Sequence, residues 1–223
     1  MSTLHEWLAE AARGQSWLQH GALDHAGLCF TPHVLHSGAR RAFHVETEDW
    51  PAEAWDQLLD RCRPHEDLLT TLRQDPHEGA QLAARVPVVD IACAVQLFHQ
   101  RDPYQLLHNI ARHARRHLVV ASCVVPPDAD GLHPGEQVPG DTPDDPRLQA
   151  ARRVLERRGV EITQFHIPPH GTDARGRPQW DGMWHWFQTE PALLAMIEAQ
   201  GWRVTQRHAV WEDIGLVLVA ERR

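Results

Sequence analysis

The sequence predicts an α/β domain built on a doubly wound, mostly parallel sheet. Three observations predict it. Strand-like and helix-like segments alternate through most of the 223 residues, the pattern that right-handed βαβ crossovers produce. Residues 87–96 and 117–125 are almost continuously apolar, as strands covered on both faces are. The last two strand-like segments, 202–210 and 215–221, read as an antiparallel pair at the end of the sheet.

Taken in order, Ser2 or Thr3 caps a first helix whose apolar face is Leu4, Trp7, Leu8 and Ala11, and Gly14 ends it. Residues 21–24 read as a first strand. Residues 31–37 form a short helix with Pro32 in its first position, stopped by Gly38. Residues 41–47 are the second strand, Asp49 caps a helix through Trp55, Leu58 and Leu59, and residues 67–73 are the third strand. The clearest unit follows: strand 87–96, a turn at Asp102-Pro103, a helix over 104–113 carrying Leu106, Leu107, Ile110 and His113, and strand 117–125. Residues 126–146 are rich in Pro, Gly and Asp and read as loop. A polar helix over 148–158, a short strand at 160–166, a second loop at 168–181 and a helix over 190–200 ending at Gly201 complete the series.

Length and composition fit one domain with a large insertion: an N-terminal helix in residues 1–20 and a body from 21 to 223, with a lid inserted at about 126–189. The formal net charge of −8 argues against a broad basic face for nucleic acid. The sequence contains no Lys, so every cation is Arg. Cys29, Cys62, Cys93 and Cys123 are scattered without CxxC spacing, so they read as reduced, buried thiols of a cytoplasmic protein. The opening MSTLHEWLAEAARG has no long apolar core and does not read as a signal peptide. No run approaches the ~20 apolar residues of a membrane span, so no membrane partner is expected.

Several motifs resemble one family. Phe43-His44-Val45-Glu46 resembles a second strand ending in an acid, and Ala22-Leu23-Asp24 the end of a first strand. Leu97-Phe98-His99-Gln100-Arg101-Asp102-Pro103 is similar to an "LYH-x-x-DP" turn after a fourth strand. Trp184-His185-Trp186-Phe187-Gln188-Thr189 is similar to a later "W-W/F-x-[ST]" motif, and Gly201-Trp202 to a turn after the last long helix. Together they resemble the class I S-adenosylmethionine-dependent methyltransferases over roughly residues 20–223. The branch with these motifs holds tRNA-wobble-uridine-modifying enzymes and several small-molecule methyltransferases. One motif departs from the family. After strand one it has Asp-x-Gly-x-Gly-x-Gly, where this chain has Asp24-His25-Ala26-Gly27-Leu28-Cys29-Phe30. Those glycines let the backbone approach a ligand closely.

The resemblance implies a Rossmann-like class I methyltransferase fold with a seven-stranded sheet, S-adenosylmethionine as cofactor, and methyl transfer to a small molecule. It implies cofactor contacts from Asp24, Ala26, Gly27, Glu46, Asp75 and Cys93. Glu46 would accept the ribose hydroxyls and Asp75 the adenine amino group, against the ordinary role of solvated acids at strand ends. His99 and His185 are the candidate catalytic bases, and His166, His170, Trp184 and Trp186 the candidate substrate contacts. Phe165-His166-Ile167-Pro168-Pro169-His170 has HxxxH spacing, but two prolines exclude the helix that would make it a metal site, so no metal is assigned. The acidic charge makes tRNA a less attractive substrate, and a homodimer or a protein partner stays open. Two alternatives compete with methyl transfer: an inactive methyltransferase-like binding subunit, or a non-methylating enzyme that uses the lid histidines.

Overall fold

A computed structural model of the chain describes residues 3–23, 27–46, 51–100, 102–125, 137–139, 144–157, 186–210 and 215–223. Its centre is a seven-stranded sheet. The strands in chain order are β1 (Ser16–His20), β2 (Arg41–Glu46), β3 (Leu69–Arg73), β4 (Val89–Val95) and β5 (Ala114–Cys123). Next come β6 (Gln137–Pro139), β7 (Trp186–Gln188), β8 (Trp202–Val210) and β9 (Gly215–Arg222). The spatial order is β3-β2-β1-β4-β5-β9-β8, while β6 and β7 pair apart from it as an antiparallel ribbon. Strands β1 to β5 are mutually parallel, and β9 joins β5 and β8 antiparallel.

Helices α1 (Leu4–Ala12), α2 (Thr31–His36) and α3 (Ala52–Cys62) cover one face, where Leu8, Val34, Leu35, Trp55 and Leu58 pack on Trp17, Ile91 and Val119. Helices α4 (Gly79–Arg85), α5 (Pro103–His113) and α7 (Glu190–Ala199) cover the other, where Leu82, Leu106, Ile110 and Ile197 pack on Leu18, Phe43, Ala92 and Leu118. A sixth helix, α6 (Pro146–Arg157), follows the short strand β6. Burial on both faces explains the apolar runs of β4 and β5. Local capping sets several helix starts. Thr3 and Glu6 form a capping box on α1, and the Asp102 carboxylate accepts the Gln105 N–H at 2.9 Å with Pro103 in the first turn of α5.

Three expectations need correction. The first strand is Ser16–His20, not residues 21–24. Its polar Gln19 and His20 are as buried as Trp17 and Leu18, so its sequence does not show the apolar pattern of a covered strand. Helix α4 was not anticipated, because its seven residues carry only one buried side chain, Leu82. The cap of α3 is Pro51, not Asp49. The strand expected at 160–166 lies outside the described residues.

At the amino end of the sheet, Asp90 is buried and accepts from the Ser16 N–H at 2.9 Å, the Ser16 hydroxyl at 2.8 Å and Arg40 Nη2 at 3.0 Å. Burial works against its charge, but these donors outweigh burial and hold its carboxyl below the ordinary value. All four cysteines are free and buried. Burial pushes Cys29 up to about 12 and Cys62 up to about 11, and raises Cys93 and Cys123 as well, so these thiols are inert packing groups. Among the described residues no helix is long and apolar enough to cross a membrane.

Candidate ligand site at the carboxyl ends of the strands

The sheet order reverses at β1, which lies between β2 and β4. Crossovers therefore leave toward opposite faces there and open a crevice beyond the carboxyl ends of β1 and β4. Backbone strain marks the same place. The described non-glycine residues with positive φ are Ala22 (+69°), just past β1, and Gln96 (+58°), just past β4. Such conformations persist only where the surroundings impose them. Gly21 (φ +92°) lies against the end of β4, so that a Cβ on it would come 2.7 Å from the Val95 carbonyl oxygen.

Gln19, fully buried on β1, ties down the segment that follows. Its Nε2 donates to the carbonyls of Gly21 and Leu28, both at 2.9 Å, and its Oε1 accepts the Thr31 N–H at 3.0 Å. Two carbonyls on one side and an N–H on the other fix the orientation of the amide. Oε1 also lies 3.1 Å from the Thr31 hydroxyl, which must therefore donate to it. The hydroxyl's remaining capacity is to accept from His44 Nδ1 at 3.0 Å. In the neutral ring this assigns the hydrogen to Nδ1 and leaves Nε2 as a bare acceptor. That nitrogen stands 3.6 Å from Glu46 Oε1.

Glu46 ends β2 and is 3 % exposed, with Oε1 accepting the Leu23 N–H at 3.0 Å. Past β3, Asp75 Oδ1 accepts the His77 N–H at 2.9 Å and lies 2.8 Å from His77 Nδ1. Ten buried side-chain polar atoms lack a hydrogen-bond partner among the described residues, and five of them belong to this region: His20 Nδ1, His44 Nε2, His77 Nε2 and both amide atoms of Gln74. Native proteins leave few buried polar atoms unpaired because each is costly. Five at the carboxyl ends of β1 to β3 mark a place prepared for a polar partner.

His20 is fully buried, and burial pushes its imidazole down to about 4 against the weaker opposing pull of Glu46. The folded protein therefore refuses a proton that the unfolded chain takes up below about 6.5. Stability from this group is complete above that pH and is lost as pH falls toward 4, by about 3 kcal/mol in all. Urea unfolding at pH 7 and at pH 4.5 checks this: His20→Gln should flatten the dependence, and an unchanged slope would assign the acid sensitivity to other groups.

The structure places the expected residues as follows. Glu46 and Asp75 lie together past the ends of β2 and β3, beside the unpaired atoms. Gly27 is exposed, and a Cβ on it would meet nothing within 4 Å, so the close-approach glycine is Gly21, which the sequence reading did not single out. Cys93 is fully buried in mid-strand on the α1–α2–α3 face. His99 belongs to a one-turn helix after β4, Leu97–His99. Trp186 is half-buried in β7. Asp24, Ala26, His166, His170, Trp184 and His185 lie outside the described residues. Gln19, His20, His44, Gln74 and His77 were missed. The one local signal for three of them is a polar residue inside a strand, as in Ser16–His20 and Arg41–Glu46. Among the described residues no three His, Cys, Asp or Glu side chains come together to hold a metal ion.

No protein-family model and no curated protein matches the chain. Solved structures do match it in fold. One is magnesium protoporphyrin IX methyltransferase from Synechocystis PCC 6803 with bound S-adenosylhomocysteine, at TM-score 0.59 and 12% identity, covering 99% of this chain and 80% of that one. Another is 1,6-didemethyltoxoflavin-N1-methyltransferase from Burkholderia thailandensis with bound 1,6-didemethyltoxoflavin and S-adenosylhomocysteine, at TM-score 0.55 and 16% identity, covering 98% and 77%. The pyocyanin biosynthetic protein PhzM matches at TM-score 0.57 and 15% identity, covering 98% of this chain and 54% of that one. The fold is thus the Rossmann-like class I methyltransferase fold that the motifs implied, with its antiparallel final hairpin.

Proposed function

From this fold, we propose that the protein binds S-adenosylmethionine at the carboxyl ends of β1, β2 and β3 and supports methyl transfer to a small molecule. The observation that carries the proposal is the buried Glu46 carboxylate at the end of β2, set among five unpaired polar atoms. The donor set fits the group. A carboxylate accepts the paired hydroxyls of a ribose, and the unpaired imidazole and amide atoms offer partners for a purine. When bound, the cofactor supplies an electrophilic methyl group. The protein's part is to hold the acceptor in line and keep water out, with His99 in the turn after β4 proposed to take up the acceptor's proton. The neighbours named for porphyrin and toxoflavin substrates support a small molecule rather than RNA, as does the net charge of −8.

A second reading, binding without transfer, draws on the segment after β1. Leu23 and Leu28 are both buried there, in the stretch where the family carries glycines, and the Leu23 N–H already occupies Glu46 Oε1. Calorimetric titration of the purified protein with S-adenosylmethionine and S-adenosylhomocysteine tests the cofactor reading. Micromolar binding of both is expected, and no heat with either ligand in folded protein would overturn it. Binding of both with no methyl transfer to a panel of phenols and ring nitrogens would favour the second reading.

A further inference from the structure

His44 lies on β2, two residues before Glu46, and is fully buried. The chain of hydrogen bonds from Gln19 through the Thr31 hydroxyl fixes its neutral tautomer, with the hydrogen on Nδ1. Nε2 is then a bare acceptor with no partner among the described residues. It stands 3.6 Å from a second acceptor, Glu46 Oε1. The two atoms repel while the imidazole is neutral. A proton on Nε2 turns the same contact into a charge-assisted hydrogen bond, and imidazole is the side chain whose charge ordinarily changes between pH 5 and 8.

Resting on the cofactor reading above, we propose that His44 is a proton-linked positioning residue for Glu46 and couples nucleoside affinity to pH. With a neutral imidazole, Oε1 holds the Leu23 N–H, and the remaining lone pairs of the carboxylate are left for the ribose. A proton taken from solvent onto Nε2 makes the imidazolium a donor to Oε1. That oxygen then has two donors, the Leu23 N–H and Nε2–H, and both its lone pairs are filled. The carboxylate is drawn toward His44 and its charge is countered at hydrogen-bond distance. Affinity therefore falls as pH falls, and a bound nucleoside opposes the proton to the same extent.

The other titratable groups around the pair come from every element packed on it. On β1, burial keeps His20 neutral down to about 4, and before α2 the Cys29 thiol is pushed up to about 12. His33 and His36 of α2 meet His5 and His65. From α3, Trp55 stands perpendicular to the imidazole at 6.2 Å, and Arg61 Nη2 donates to the Cys29 carbonyl at 3.5 Å. Arg73 of β3, a permanent charge, lies 5.3 Å from the same indole. Past β3, Asp75 and His77 pair with each other at 2.8 Å, so His77 is the second imidazole that a pH profile has to separate.

Two measurements on the full-length chain test this: calorimetric titration with S-adenosylhomocysteine at pH 8 and 5.5, and NMR of the His44 ring nitrogens without ligand. The wild type is expected to bind more weakly at pH 5.5, on the order of tenfold. His44→Asn keeps a donor for Thr31 and removes Nε2, and is expected to hold its pH 8 affinity down to pH 5.5. His77→Gln is expected to keep the loss. NMR should show one hydrogen, on Nδ1, at pH 8 and a second on Nε2 at pH 5.5. Equal wild-type affinity at the two pH values would overturn the proposal. So would a loss that survives in folded His44→Asn or vanishes in His77→Gln. A His44 ring that keeps a single hydrogen at pH 5.5, or carries it on Nε2 at pH 8, overturns it whether or not the ligand binds. No binding at either pH in folded protein sinks the cofactor reading and the affinity coupling with it, and the NMR result alone then decides whether His44 and Glu46 take up the proton.

Discussion

Gly21→Ala is expected to destabilise the protein by about 4 kcal/mol, through two costs that add at one atom. The first is conformational: φ at Gly21 is +92°, where a side chain costs roughly 1–2 kcal/mol. The second is steric, because the new Cβ would stand 2.7 Å from the Val95 carbonyl oxygen, and neither backbone is free to move. Val95 ends a strand bonded on both sides, to β1 and to β5. Gly21 is held by Gln19, whose Nε2 bonds its carbonyl at 2.9 Å. Pushing Gly21 outward would pull on the same amide that secures Leu28 and Thr31. Gly14→Ala is the control. Its φ is +68° but nothing lies within 4 Å of the added atom, so only the conformational cost of about 1 kcal/mol applies. Urea midpoints of the two variants check the contrast. Equal, small shifts would show that the segment after β1 can leave β4 and that the close approach is not built in.

The same amide explains which parts of the molecule could be read from its sequence. The unit from β4 through α5 to β5 was legible because its determinants are local. Each strand holds a local apolar run, Ile91–Val95 in β4 and Leu118–Ala121 in β5, and Asp102-Pro103 both ends the turn and caps the helix. The final helix and hairpin were legible for the same reason, with Thr189 as cap. Strand β1 was not, because Gln19 and His20 are polar and the partners that make the burial of Gln19 tolerable lie outside the strand. Thr31 and the carbonyls of Gly21 and Leu28 satisfy every polar atom of Gln19, and no local pattern announces that. Placing β1 too late shifted the cofactor loop to Asp24 and hid Gly21. Of the site itself, Glu46 was legible as an acid at a strand end. His44, Gln74 and His77 were not, because what distinguishes them is a buried side-chain atom left unpaired among the described residues of the folded chain.

Glu46→Gln is expected to weaken S-adenosylhomocysteine binding on the order of a hundredfold or more while leaving the protein as stable as before. The binding loss follows from charge and from acceptor count. Two ribose hydroxyls need acceptors, and hydrogen bonds to a charged group are worth about 1.5–3 kcal/mol each. The amide has one oxygen, which the Leu23 N–H already claims at 3.0 Å in the wild type, and its other terminus is a donor facing donors. Stability should hold because the Leu23 bond survives with the amide oxygen. Glu46→Ala is the weaker experiment, since it strands the buried Leu23 N–H and mixes a folding defect with a binding defect. Parallel calorimetry and urea unfolding of Glu46→Gln separate the two. Undiminished affinity would place the nucleoside away from β2 and dissolve the cofactor frame. Lost affinity together with lost stability would make Glu46 a structural acid whose work is to hold Leu23 and the strained turn at Ala22.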